Sequence, residues 1–264
     1  MNNRQPTLQS VRAFWEKNPV AANAIPFEPG TAEYFEYYDR LREANESVVF
    51  SAELHEYAAF KGKKVLDVGS GNGYVLSRYA LHGAHAHGVD LTERAIGLCR
   101  RRFAMMGLPG RFIVGNAECL PFQDASFDCV CSMGVLHHTP DTRRSVDEVF
   151  RVLRPGGRII LMFYHRHSFH YRVKFPLLKW LKGVPIQQSV NLVDGVGNPK
   201  GDVYSRVELR RLLENFDRLD LSSGWLPWHA ARGIGRLVPT AVREHLERRW
   251  GWFLYAKGIR PVSS

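Results

Sequence analysis

Apolar residues in this chain follow two rhythms. From Lys63 onward, short apolar runs ("KKVLDVG", "AHAHGVD", "GRFIVGNA", "FDCVCSM", "RIILMFY") read as strands. Between them lie stretches whose apolar positions recur every three or four residues. "YVLSRYALHG", "TERAIGLCRRRFAMMG" and "TRRSVDEVFRVLRPGG" are the helices this predicts, the second capped by Thr92. "FDCVCSM" is apolar enough to be buried on both faces, as in a parallel sheet. Strand and helix in alternation predict βαβ units with right-handed crossovers.

The rhythm is different at the two ends. Residues 1–60 are aromatic and mostly helical in pattern, broken at Pro19, Pro26, Pro29 and Gly30. Residues 164–204 are basic, aromatic and irregular. "SRVELRRLLENF" restores a helix, with Ser205 as cap and Glu208 in capping-box register. "RLDLSSGWL" and "WGWFLYAKGI" read as two last strands, with a short basic helix, "PTAVREHLERR", between them. The predicted divisions are a helical cap or lid (1–60), a core (61–163), an acceptor-side insertion (164–204) and a C-terminal part completing the same domain (205–264).

The first strand ends in Asp67 and runs into Gly69-Ser70-Gly71-Asn72-Gly73. Glycines at alternate positions permit a tight turn and let a ligand touch backbone. The helix that follows turns its N-terminus toward that ligand and favours an anionic group. The spacing is GxGxG, where dinucleotide sites have GxGxxG. Asp90 closes the second strand, where a carboxylate accepts from both hydroxyls of a ribose. The combination suits a nucleoside without a pyrophosphate.

At this point the sequence resembles a known family. "LDVGSGNG", "GVDLT", "GNAECLPFQDASFDCVCSMGVLHHTPD" and "EVFRVLRPGGRIILM" are similar to the class I S-adenosylmethionine-dependent methyltransferases. The similarity is greatest to the small-molecule branch that includes ubiquinone/menaquinone-type enzymes, and it is strong over about residues 60–163. It implies a Rossmann-like, doubly wound α/β fold. Seven mostly parallel strands would carry helices on both faces, with the N-terminal cap and an insertion after strand five.

The resemblance also implies residue roles. Asp67 would fix the glycine loop and help hold the methionine amino group. The backbone of Gly69, Ser70, Gly71, Asn72 and Gly73 would line the methionine part. Asp90 would bind the ribose, with Leu91 beside the adenine. Ala117 and Glu118 would border the adenine, next to Asn116, where the family usually has an aspartate. Met133 and Gly134 would border the methionine carboxylate and the methyl group. The cofactor would be S-adenosyl-L-methionine, leaving as S-adenosyl-L-homocysteine by in-line displacement, which requires no metal.

Several side chains carry two readings. His137 and His138, after the fourth strand, are candidate general bases or loop-ordering histidines. His165, His167 and His170 read as a solvated basic loop, with a second base or a metal site as alternatives. Tyr34, Tyr37 and Tyr38 share one helix and either pack on the sheet or form a lid. Tyr34, Tyr38, Tyr164 and His165 are the acceptor-side candidates. "YHRHSFHYRVKFPLLKWLKG" is an acceptor cap or an interfacial stretch touching an anionic membrane.

Composition narrows little. A net charge of +10 and a pI near 9.6 are compatible with nucleic acid, an anionic surface or acidic substrates. No nucleic-acid module is recognisable, and the Asp/Asn-Pro-Pro-Tyr/Phe grip on an exocyclic base amine is absent after the fourth strand. An RNA or other nucleic-acid methyltransferase is therefore the alternative, and a non-catalytic cofactor-binding subunit the second. Cys99, Cys119, Cys129 and Cys131 contain no CxxC pair and read as free thiols of a reducing cytoplasm. The N-terminus lacks a signal-type apolar core, and no run approaches a membrane span. The expected partner is a small-molecule acceptor, in a cytoplasmic protein with or without a peripheral membrane contact.

Overall fold

The computed structural model describes residues 6–19, 24–183, 197–226 and 238–262. Its strands are β1 (Lys64–Val68), β2 (His85–Asp90), β3 (Arg111–Val114), β4 (Phe127–Met133), β5 (Leu153–His165), β6 (Val203–Tyr204), β7 (Asp217–Gly224) and β8 (Phe253–Ile259). They form one sheet in the order β3-β2-β1-β4-β5-β8-β7, with the two-residue β6 added beside the end of β5. Pairings from β3 to β5 are parallel, while β8 runs antiparallel to both its neighbours. The expected seven mostly parallel strands are present, and β6 is an addition.

Period-two alternation sends successive side chains of the central strands into opposite layers. Leu66, Val130, Ile159, Leu161 and Phe163 face one layer, where α6 (Thr142–Val152) supplies Val146 and Val149. Val65, Cys129, Cys131, Ile160 and Met162 face the other, against Leu54 of α3 (Val48–His55) and Val75 and Tyr79 of α4 (Tyr74–Leu81). Cys129 and Cys131 thus share one face as free, buried thiols. Burial pushes the Cys129 thiol up, so it packs as a small apolar group.

The N-terminal region is helical, with α1 (Leu8–Lys17), α2 (Ala32–Asn45) and α3. Thr7 and Ser10 close a capping box on α1, and Thr31 caps α2. Thr92 caps α5 (Glu93–Met105), accepting from the Ala95 amide at 3.2 Å. The capping box of Ser205 and Glu208 forms at the start of α8 (Arg206–Leu212). The last helix, α9 (Thr240–Trp250), lies where the basic helix was expected.

One buried cation ties the cap to the core. Arg102, only 3% exposed, sends its terminal nitrogens to the Asp39 carboxylate on α2 at 3.0 and 2.8 Å. Its Nε donates to the Asn72 carbonyl at 2.9 Å, and its guanidinium lies 4.6 Å from the Phe35 ring centre. Removing one member of such a pair leaves the other charge poorly compensated, so Arg102→Ala is expected to lower unfolding stability by about 3 kcal/mol. Chemical denaturation checks this; an unchanged midpoint would make the bridge incidental.

Residues 164–204 depart from the expectation of irregular chain. A π-type turn at His170–Lys174 leads into α7 (Phe175–Lys182), which ends at Gly183 with φ +65°. Pro176 stands in the first turn of α7, where its missing N–H is harmless. Residues 184–196 of this insertion lie outside the described residues. Among the described residues, no helix is long and apolar enough to cross a membrane.

Candidate functional site

The sheet reverses its winding at β1, which has β2 on one side and β4 on the other. A crevice opens at the carboxyl ends of these strands, as open parallel sheets dictate. The glycine loop forms its floor. Gly69 and Ser70 donate their amides to the Val89 carbonyl at 2.7 and 3.1 Å, folding the loop over β2. The Gly71 amide donates to Asp90 Oδ2 at 3.1 Å.

The glycines serve different needs. A Cβ on Gly69 would overlap the Val135 side chain, whose nearest atom lies 2.2 Å away. A Cβ on Gly71, at φ +53°, would meet no protein atom within 4 Å, and Gly71 lines the crevice. Gly73 does not line it; a Cβ there would lie 2.7 Å from Cys99 Sγ, where α4 passes α5. That glycine lets the two helices approach.

Three charged groups meet at the wall. Asp67, fully enclosed, has its carboxyl pushed up to about 7, first by burial and further by the charge of Asp90. Asp90 Oδ1 accepts from the Thr92 amide at 3.0 Å and its hydroxyl at 2.9 Å. Burial also raises the Asp90 carboxyl, against the pull of these bonds and that of Gly71. Arg42 reaches the wall from α2, paired with Glu46 at 2.6 Å. Tyr34 Oη, Ser70 Oγ and Asn72 Nδ2 are buried at this wall, Tyr34 facing Asn72 and Ser70 facing the Cys99 thiol.

Most of the expected residues meet here. Asp67, Gly69, Ser70, Gly71, Asn72, Asp90, Leu91, Asn116, Ala117, Met133 and Gly134 all line the crevice, as do Tyr34, Tyr38 and His138. Asn116 Oδ1 already accepts the Glu118 amide at 3.0 Å, leaving one lone pair and its NH2 group. His138 Nδ1 lies 2.5 Å from the Lys200 carbonyl, and its ring meets Trp15 edge-on at 5.2 Å. An Nδ1–H donated to that carbonyl defines the tautomer whose imine nitrogen is Nε2.

Others fall elsewhere. Glu118 turns away, its Oε1 accepting the Asp141 amide at 2.7 Å. His137 is buried off the wall, its ring 4.2 Å from those of both His138 and Tyr164. Burial drives the His137 pKa well below its ordinary value, so it stays neutral. Tyr164 belongs to a ring cluster with Trp252, 4.9 Å away. His165 faces a different recess, with Nδ1 3.0 Å from the Gly251 carbonyl and a pKa lowered to about 4 by burial. Tyr164 and His165 end β5, which lies one strand further from the reversal than β4, and neither lines the crevice. His165 and His170 are buried, not solvated, and His170 stacks on Trp225.

Sequence reasoning missed Arg42 and the α1 residues Leu8, Val11 and Trp15, which form the outer wall. For Arg42 the signal was present, because Tyr34, Tyr38 and Arg42 are spaced i, i+4, i+8 on one helical face.

Residues 66–161 match the model of the "Methyltransferase domain" family. The chain is 36% identical over 189 residues to phthiotriol/phenolphthiotriol dimycocerosates methyltransferase 1 of Mycobacterium ulcerans, covering 68% of this chain and 63% of the relative. It is 33% identical over 155 residues to demethylmenaquinone methyltransferase of Clavibacter sepedonicus, covering 57% and 61%. The chain therefore spans less than two thirds of these relatives. The crystal structure of geranyl diphosphate C-methyltransferase from Streptomyces coelicolor A3(2), with S-adenosyl-L-homocysteine bound, superposes with a TM-score of 0.64. That match covers 97% of this chain and 98% of the other at 18% identity, a likeness of fold.

Proposed function

We propose, from the match of residues 66–161 to the methyltransferase-domain family model, that the chain is an S-adenosylmethionine-dependent methyltransferase acting on a small hydrophobic or aromatic acceptor. S-adenosylmethionine, when bound, would supply a sulfonium methyl group, whose bond to sulfur breaks as the acceptor's bond to the methyl carbon forms.

The wall fits an adenosyl amino acid. Asp90 stands at the end of β2 to accept from ribose hydroxyls, and Leu91 and Ala117 offer apolar contact to the adenine. Asp67 is an enclosed carboxylate suited to an ammonium group, and Arg42 a cation suited to a carboxylate. Gly71 leaves open space where a side chain would stand. Tyr34, Ser70 and Asn72 turn polar atoms to the crevice that a polar ligand can meet. These residues bind and align; alignment and exclusion of water supply most of the acceleration in such a displacement.

The nature of the outer wall carries the acceptor reading. Beyond Met133 and Gly134 it consists of Leu8, Val11, Trp15, Pro19, Val135 and Pro140, with His138 and Thr139 as its polar members. Arg42 is the crevice's lone Arg or Lys among the described residues, and it is paired with Glu46. A phosphodiester chain finds no row of cations here, which nucleic-acid binding needs.

Asp67 makes cofactor binding pH-dependent. Its folded pKa is raised, so the free fold holds a proton that the unfolded chain has lost, and ionising Asp67 as pH rises through about 7 costs the free fold stability. An ammonium group beside it favours the ionised form. Affinity for S-adenosylhomocysteine is therefore expected to rise about tenfold from roughly pH 6 to pH 8, with proton release. Calorimetry in buffers of different ionisation enthalpy checks this; Asp67→Asn should flatten the profile.

His138 is the base candidate that remains on the wall. For a hydroxyl acceptor, His138→Ala is expected to lower kcat by about 10²–10⁴. Retained kcat would leave His138 as an ordering residue.

Methyl-labelled S-adenosylmethionine tests the function as a whole. Incubated with demethylated quinones or lipid extracts, the chain should place label in the organic phase, insensitive to added salt. Label in RNA, or binding without transfer to any acceptor, would overturn the proposal.

A further inference from the structure

The function proposed above leaves one surface unused. α7 leaves the carboxyl end of β5, on the same edge of the sheet as the crevice. Phe175 roots the helix, buried against Trp252 at 5.8 Å between ring centres. Past that root, the helix faces outward with large apolar groups. Trp180 is 79% exposed, Leu181 59% and Leu177 48%. Arg172, Lys174, Lys179 and Lys182 surround them, and no Asp or Glu occurs from Tyr164 to Gly183. A clustered apolar face of this kind marks an interaction site. Tryptophan and leucine framed by lysine stems, which lay their methylenes on apolar ground and keep their charge in water, suit the boundary between headgroup and acyl chain.

A second feature adjoins it. A recess reached by Arg172, just before α7, is lined also by His165, His167, Arg206, Arg248 and Arg249, and among the described residues no carboxylate lines it. Arg206 is held there by carbonyls, not by an acid: Nη1 donates to Leu221 at 2.5 Å, and Nη2 to Arg248 at 3.0 Å and to the Ser223 hydroxyl at 2.9 Å. Arg172 and Arg249 have no ion pair among the described residues. Arg172 lines the recess and stands three residues before α7, so the chain joins the two features.

We propose that α7 and this basic recess form a docking surface for an anionic phospholipid bilayer. Leu177, Trp180 and Leu181 enter the interface, and the recess takes lipid phosphate. Free phosphate would account for the recess but not for the exposed Trp180. An apolar protein partner would account for Trp180 but not for a recess lined by arginines of which, among the described residues, Arg248 alone pairs with an acid, Glu244. The use of such a surface rests on the proposed hydrophobic acceptor, which a bilayer would deliver to the crevice; the surface itself does not.

Vesicle sedimentation with the full chain tests the proposal. Vesicles of phosphatidylcholine with about 30% phosphatidylglycerol should bind the chain roughly tenfold or more tightly than pure phosphatidylcholine, an advantage that falls with salt. Leu177→Ser/Trp180→Ser/Leu181→Ser should weaken binding to both by on the order of tenfold or more. Arg172→Glu/Arg249→Glu should remove the preference for anionic vesicles. S-adenosylhomocysteine affinity, measured on each variant, should stay at the wild-type value. This separates failure of docking from failure of the cofactor site and reports that the fold is intact. Equal binding to the two vesicle types, binding of the triple variant at the wild-type level, or phosphate bound in the recess with no vesicle association would each overturn the proposal.

Discussion

Asp90→Ala is expected to weaken S-adenosylhomocysteine binding at least about 100-fold, since each hydrogen bond to a charged group contributes roughly 1.5–3 kcal/mol. The carboxylate has two tasks. In the free protein it accepts from Gly71, the Thr92 amide and the Thr92 hydroxyl, joining the glycine loop to the cap of α5. A carboxylate offers about four lone-pair positions, so one ribose hydroxyl finds a ready acceptor and the second shares an oxygen. Alanine removes both tasks, and a loss of about 2 kcal/mol in unfolding stability should accompany the loss of affinity. Asp90→Asn is not conservative here. Its NH2 group would face the donor of either Gly71 or Thr92, so an intermediate loss is expected. Calorimetry with thermal unfolding separates the two tasks, and unchanged affinity in Asp90→Ala would remove the ribose assignment.

The second large effect separates two neighbouring glycines. Gly71→Ala places a methyl group where no protein atom lies within 4 Å. Its φ of +53° strains the fold by only about 1–2 kcal/mol. The methyl group would, however, occupy the ligand's space. Affinity is expected to fall roughly tenfold to a hundredfold, the scale of about 1–3 kcal/mol of overpacking. Gly69→Ala should show the reverse balance. Its Cβ runs into Val135, so the main loss falls on stability, read as a lower midpoint in denaturant. Equal affinity for wild type and Gly71→Ala would mean that no ligand approaches this backbone.

The central sheet was legible because each of its signals is local. Val65 to Gly73 carries strand, acid and turn in one run, and Thr92, Ser205 and Glu208 mark their helix starts by side-chain chemistry alone. The Asp90 placement followed from its position at the end of the second strand, and those of Asp67 and Asn116 from the family resemblance. Orientation at the sheet edge was not legible. Gly73 belongs to the same glycine run as Gly71, yet it packs on Cys99. Glu118 is two residues from Asn116 but bonds Asp141. His137 and His138 differ by one position, and one turn of 3-10 helix sends only His138 to the crevice. α7 was hidden because lysine and aromatic residues alternate within it, and its anchor is Phe175 on the distant Trp252. Arg42 was readable from its spacing to Tyr34 and Tyr38, but the α1 wall depends on where a separate helix docks.

Isothermal titration of the full chain with S-adenosylhomocysteine, with NAD as competitor, bears most directly on the crevice between β1, β2 and β4. The expected result is one site per chain at about micromolar affinity or tighter, abolished by Asp90→Ala and indifferent to NAD. No heat of binding, or displacement of the nucleoside by the dinucleotide, would contradict it.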